Sequence, residues 1–271
     1  MTPELDEAPP LHPSADLHEP DERQSSPSVS KALQLLDSFR NGAPSQGVSE
    51  LARRAALPKS TAFRLLSHLE RGGYVERTGT NYRLGWRLFE LGNRVQHCRP
   101  RGLRELALPH LSELYARTGH VVNLAVLEGT EVVYLDKIHG RHAVRTPTTV
   151  GSRMPAACVG LGKAMLAFSG RPAVQRVLTA GLERRTAYSI AEPGRLLQEL
   201  ERIRTSGTAF DHEEAALGLA CVAAPILVGG RCLAAISISS ATTRFNPAAI
   251  VPHVRRAAAG ISADCPGPDR V

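Results

Sequence analysis

Lys59, Ser60, Thr61, Arg64 and His68 lie close together in the segment PKSTAFRLLSHLERGG. On a helix, residues four apart are neighbours, so Ser60, Arg64 and His68 share one face. An arginine can donate two hydrogen bonds to a guanine edge, and hydroxyls can contact several bases. A lysine, or the free amides of a helix N-terminus, suits a phosphate instead. The chemistry on offer is therefore the reading of double-stranded DNA. Ser60, Thr61 and Arg64 reach base edges, with His68 a further candidate one turn on. Lys59 and, upstream, Ser49 fit phosphate contacts that fix register. Arg77, Asn81 and Arg83 follow in YVERTGTNYRLG and fit the DNA backbone or minor groove. The competing use of the same elements is a contact surface for another protein.

The second half of the chain carries a different set. Ser237 and Ser239 point to one face of a strand, because side chains alternate with a period of two. Serines turned inward from an apolar strand need partners. A small polar ligand, the backbone, water or a neighbouring side chain would each serve. The segment GSRMP reads as a turn-rich loop with one cation, Arg153, and Lys163 starts an apolar helix. Asp211, His212, Glu213 and Glu214 precede a segment running from Gly218 to Cys221.

Other chemistries fail on spacing. Gly160-Leu161-Gly162-Lys163 lacks the first glycine of a phosphate loop, and Ala164 replaces its magnesium-binding hydroxyl. Asp136, His139 and His142 read as a polar turn rather than a metal site. Cys158, Cys221 and His212 read as buried thiols and a lone imidazole. No serine elbow and no nucleophile with a sequence-evident base is present, so neither an enzyme, a metal nor a cofactor is expected.

The elements that must position these residues follow from periodicity. Apolar residues recur at helical spacing in SVSKALQLLDSF, ended by Asn41-Gly42, and in VSELARRAAL, with Ser49 as its possible N-cap. A third helix begins after Pro58 and stops at Gly72-Gly73. Tyr74–Arg77 and Asn81–Leu84 form a hairpin around Thr78-Gly79-Thr80. Helix, short helix, turn, helix and hairpin together make a winged helix-turn-helix. A linking helix over 86–98 and a long helix over 101–118 follow, the latter kinked or broken at Pro109. VVNLAVL and EVVYLDK read as adjacent strands, CVAAPILVGGRCLAAISIS as a hairpin turning at Gly229-Gly230, and 246–262 as a closing helix. The fold class is α+β, with a mixed α/β second domain built on an antiparallel sheet.

Charge supports this division. The net charge of +7 is unevenly spread. Residues 1–27 hold seven acids (Glu4, Asp6, Glu7, Asp16, Glu19, Asp21, Glu22) against Arg23 and read as a disordered, Pro-rich tail. Residues 28–100 hold twelve Lys/Arg against five acids, a footprint suited to nucleic acid. Five cysteines without a CxxC fit a reduced, cytoplasmic protein, and no apolar run is long enough for a membrane span. The expected layout is a tail (1–27), a DNA-binding domain (28–86), a helical linker (87–118), an effector domain (119–262) and a second tail (263–271).

VSELARRAALPKSTAFRLLSHLERGGYVERTGTNYRLGWRLFELG closely resembles the winged-helix domain of the IclR family of bacterial transcription regulators. SVSKALQLLDSF resembles that family's first helix. TVGSRMPAACVGLGKAMLA and DHEEAALGLACVAAPI resemble two segments of its effector domain, so the likeness covers roughly 28–262. The resemblance implies a GAF-like effector domain, a homodimer or homotetramer, and a palindromic operator. It implies a carboxylic acid or aromatic catabolite as effector, held by Gly160, Leu161, Asp211, Cys221, Ser237 and Ser239, with Leu161 and Met154 as walls. Amides at Gly160 and Leu161, with the two hydroxyls, would hold a carboxylate without a full countercharge. Where many relatives have a polar residue after GSR-P, this chain has Ala156-Ala157-Cys158, which implies a less polar or roomier pocket and a ligand with an apolar body. The alternatives are a DNA-binding module fused to an enzyme domain, or one whose second domain only oligomerises.

Overall fold

In the computed structural model, residues 28–40, 42–98, 102–141 and 146–266 are described. The acidic tail, Asn41, His142 and residues 267–271 fall outside them. By internal contacts the chain divides between Glu90 and Leu91 into two units.

The first unit begins with helix α1 (Ser28–Asp37), whose Leu35 is fully buried. A two-residue strand β1 (Gln46–Gly47) leads into α2 (Val48–Arg54). Gly47 is the N-cap, and Ser49 lies one residue inside the helix with no capping bond. The expected Ser49 cap is therefore wrong: the helix starts at Val48, too early for a hydroxyl at 49 to reach back. Glu50 in the first turn and Arg53 and Arg54 in the last complement the helix dipole. The two arginines also grip Glu50 at 2.7 and 2.6 Å. Hydrogen bonds from Arg53 first, then Arg54, hold its carboxyl down at about 2.

The turn out of α2 places Ala56 in the left-handed region, at φ 50°. Its neighbour Leu57 donates to the Ala52 carbonyl at 2.9 Å, and Pro58 caps α3 (Lys59–Arg71). Ala62, Leu65 and Leu66 turn the apolar stripe of α3 onto Leu35, Leu51 and Ala52. Strands β2 (Val75–Thr78) and β3 (Asn81–Leu84) form the hairpin, and β1 pairs with β3 to complete a three-stranded sheet. Arg77 of β2 lies over the rings of Phe63 in α3, at 6.0 Å, and Tyr82 in β3, at 5.8 Å. Helix α4 is short, Trp86–Gly92, rather than running to residue 98.

The second unit opens on α5 (Leu103–Thr118). Pro109 sits inside it without ending it, so of the expected kink or break the break does not occur. Leu103, Ala107, Leu111 and Leu114 are all buried on one side of the helix, and that packing outweighs the lost backbone bond. Strands β4 (Val121–Glu128) and β5 (Glu131–Ile138) form the first hairpin. Arg153–Pro155, read from sequence as loop, is instead a strand, β6, that pairs with β5. A 3₁₀ turn (Ala156–Cys158) then leads to α6 (Gly160–Ala167), α7 (Arg171–Ala180) and α8 (Pro193–Ser206). Strand β7 (Ala209–His212) precedes the long hairpin β8 (Leu219–Val228) and β9 (Arg231–Ala241), and α9 (Pro247–Asp264) follows.

The six strands form one antiparallel sheet in the order β6-β5-β4-β9-β8-β7. Alternation sorts its side chains. Val122, Leu124, Val222, Ile236 and Ile238 pack with α5 and α9. Ala125, Ala223 and Ala235 face the other way, onto Leu161, Met165, Leu196 and Leu200 of α6 and α8. Asn123, Cys221, Ser237 and Ser239 share the odd-numbered phase of those alanines, so they too face α6. No described helix is long and apolar enough to cross a membrane.

Candidate nucleic-acid interface and ligand pocket

On the first unit, Lys59, Ser60 and Arg64 are exposed at the start of α3, and Thr61 is half-buried. Ser49, His68, Arg77, Asn81 and Arg83 are exposed as well. Their electrostatic states differ. Lys59 and Arg64 have no ion pair or hydrogen bond among the described residues. Arg53 and Arg54 are already answered by Glu50, and Arg83 by Glu76 at 2.6 Å. His68 Nδ1 lies 2.7 Å from Arg71, and Arg77 donates to the Gly79 carbonyl at 3.0 Å. Lys59 and Arg64, in the N-terminal half of α3, are thus free of partners, while Arg71 and Arg77 keep their charge on neutral ones. Phe63 escaped the sequence reading. It is 47% exposed beside Arg64, and being out of phase with the buried stripe was its only signal.

In the second unit, Met154, Gly160, Leu161, Asp211, Cys221, Ser237 and Ser239 all line one cavity. It is small, about 20 Å³ for the centre of a water-sized sphere, or room for about one water. Gly160 and Leu161 are the first two residues of α6, and the first amide bonded within that turn is Lys163, to the Val159 carbonyl at 3.0 Å. Their own amides are the free donors that any helix start presents.

The serines have found a neighbouring side chain. Asn123 Nδ2 donates to Ser237 Oγ and Ser239 Oγ, both at 3.2 Å, and the Cys221 thiol donates to Ser239 Oγ at 3.0 Å. Asn123 was legible only as a polar residue in the apolar run VVNLAVL. Asp211 Oδ1 accepts from the amides of Glu214, at 2.8 Å, and Ala215, at 3.4 Å. Asp211 Oδ2 and Asn123 Oδ1 are buried without a partner. Burial, then the charge of Glu214, pushes the Asp211 carboxyl up to about 7. Burial likewise raises the Cys221 thiol far above its ordinary value, so it is no thiolate nucleophile. Behind the loop, buried Lys163 and Glu214 form an ion pair at 2.5 Å. The lysine of the rejected phosphate loop is therefore occupied by a carboxylate.

Ala156, Ala157 and Cys158 do not wall this cavity. Ala156 and Ala157 line a separate cleft with Val177, Gly181 and Glu183, and Cys158 donates to the Glu183 carbonyl at 3.1 Å. The reason is close packing: a Cβ on Gly162 would lie 2.1 Å from the Ala156 carbonyl oxygen, so the 3₁₀ turn rests on α6. Its side chains are committed elsewhere, and the inference drawn from them about pocket polarity falls. Among the described residues no group of three or more His, Cys, Asp or Glu is placed to hold a metal ion.

Comparison with known proteins agrees with this architecture. Residues 28–79 match the IclR helix-turn-helix domain, and residues 96–263 match the bacterial transcriptional regulator IclR C-terminal domain. The chain is 34% identical over 225 residues to the HTH-type transcriptional regulator XynR of Escherichia coli K12, covering 82% of this chain and 88% of that one. It is also 34% identical to the transcriptional repressor IclR of the same organism, covering 81% of each. Among solved structures, an IclR homolog complexed with 4-hydroxybenzoate from Microbacterium hydrocarbonoxydans superposes with a TM-score of 0.80 at 30% identity, covering 88% of this chain and 98% of that one. The Thermotoga maritima IclR gives 0.73, also at 30% identity, covering 87% and 97%.

Proposed function

Because the chain belongs to the IclR family of bacterial transcriptional regulators, and is with it a ligand-responsive DNA-binding protein, we propose how its two units divide that work. The start of α3 enters the major groove. Ser60, Thr61 and Arg64 meet base edges there, with His68 further along, and Lys59 and Ser49 meet phosphates. Arg77, Asn81 and Arg83 follow the backbone or minor groove from the hairpin. Reading a palindromic operator requires two such heads, in a dimer or a dimer of dimers. The observation that carries this assignment is the pair of exposed cations with no partner, Lys59 and Arg64, in the N-terminal half of α3.

The second unit, GAF-like in this reading, holds the effector in the cavity lined by Met154, Gly160, Leu161, Asp211, Cys221, Ser237 and Ser239. A carboxylate matches the α6 amides and the two hydroxyls, and the cavity, with room for about one water, widens to admit the rest of a small organic or aromatic acid. The complex of a relative with 4-hydroxybenzoate supports that class. Ligand binding favours one arrangement of the reading heads and so changes operator affinity by population shift.

The test is fluorescence anisotropy on DNA flanking the protein's own gene. Arg64→Ala should weaken specific binding by about 1–3 kcal/mol. Lys59→Ala should weaken specific and non-specific binding alike and lower the salt slope by about one. Candidate acids should then shift the wild-type titration. An unchanged operator affinity in Arg64→Ala would refute the assignment of the reading residue.

A further inference from the structure

Only four Lys, Arg, Asp or Glu residues are buried among the described residues: Lys137, Lys163, Asp211 and Glu214. Of these Asp211 lines the ligand cavity itself, and Lys137 bonds to two residues that do, Thr146 and Thr148. Lys163 and Glu214 satisfy each other. The remaining two do not meet. Asp211 Oδ2 has no partner, and Lys137 has only neutral ones, the Thr146 hydroxyl and the carbonyl and hydroxyl of Thr148. A buried ammonium held by neutral oxygens is costly to maintain, and burial pulls its proton affinity down.

Their placement is informative. Lys137 on β5 is opposite Asn123 on β4, which is opposite Ser237 on β9. Opposed residues share a face, so Lys137 rises on the cavity side of the sheet. Thr146 and Thr148, its partners, line the cavity. Asp211 stands on β7, at the other edge of the sheet, and lines the cavity itself. A carboxylate oxygen lacking a donor thus lines the cavity, and a cation lacking an anion lies behind its threonine wall.

We propose that the pocket selects an acid that also carries a hydroxyl, with Lys137 answering the acid group and Asp211 Oδ2 accepting the hydroxyl proton. The proposal rests on the reading of this cavity as an acid-effector site. It adds Lys137 as a specificity-determining residue. The incoming carboxylate replaces the threonine oxygens on the ammonium. An acid without a hydroxyl leaves Asp211 Oδ2 unanswered in a buried site, the situation in which hydrogen-bonding sites discriminate most strongly. A carboxamide leaves Lys137 without its anion.

The test is calorimetric titration of the full chain at pH 8, above the Asp211 value of about 7. The probes are 4-hydroxybenzoate, benzoate and 4-hydroxybenzamide. The hydroxy acid should bind at least about tenfold more tightly than both its companions. Lys137→Met and, as a polar control for folding, Lys137→Gln should lose the preference for acid over amide while keeping that for hydroxyl over hydrogen. Asp211→Asn should do the reverse. If the acids bind but the wild type does not separate the companions, or both Lys137 variants keep the acid preference, the proposal fails alone. If no probe binds while the operator is still bound, it fails together with the acid-effector reading.

Discussion

Asp211→Asn is expected to make the protein more stable at pH 8. The carboxyl is 1% exposed, and it titrates near 7 rather than 3.8 because burial disfavours its charge. Between those values the folded chain holds a proton that the unfolded chain has released. Stability therefore falls as pH rises through that window, and the whole penalty is present above about pH 7. Three units at 1.36 kcal/mol each give about 4 kcal/mol. Asparagine keeps an oxygen for the amides of Glu214 and Ala215 but turns an NH₂ toward the cavity, so about 2–4 kcal/mol should be recovered. For a domain of this size that raises Tm by roughly 5–15 °C. Calorimetric melting of both proteins from pH 8 to pH 4 measures it. The advantage should shrink to less than half at pH 5 and vanish near pH 4. Equal melting temperatures at pH 8, or an advantage independent of pH, would show that Asp211 is not a desolvated carboxylate.

Three further outcomes follow from packing. Lys163→Met strands the buried Glu214 and should cost about 3–5 kcal/mol in urea unfolding, part of which Glu214→Leu added to it should restore. Gly162→Ala places a methyl 2.1 Å from the Ala156 oxygen and 2.5 Å from its Cα, both backbone atoms that cannot swing aside, and should cost roughly 3 kcal/mol. Ala56→Gly relieves a left-handed residue of about 1 kcal/mol of strain, partly offset by a freer unfolded chain. A rise of a few degrees in the first unit's melting transition is expected, and a fall would contradict the strain.

Local pattern made the helix-turn-helix legible. The stripe Ala62, Leu65, Leu66 and the stop at Gly72-Gly73 are carried by neighbours in sequence. What depends on distant partners was not. The three residues of β6 have no period to show, and they form a strand only because β5 offers an edge. The persistence of α5 through Pro109 depends on what its other face buries. The cavity was reached by likeness to a family and by the alternation of Ser237 and Ser239. That likeness did not reveal Asn123 beneath both hydroxyls, or Lys137 in line with it, because cross-strand register is written in no single segment. Ala156–Cys158 misled for the same reason: adjacency in sequence to the helix start said nothing of which side the turn would face.

Arg77, seated between Phe63 and Tyr82, ties the hairpin to α3. The two parts proposed to touch DNA are therefore ordered together when the domain folds, and little freedom is left to lose at encounter. At a fixed ionic strength, arrival at an operator is then governed by diffusion and charge steering, and most differences in affinity between related complexes lie in dissociation. An effector acting on such a preformed surface changes chiefly how long the complex lasts, so its effect should be sought in dissociation kinetics.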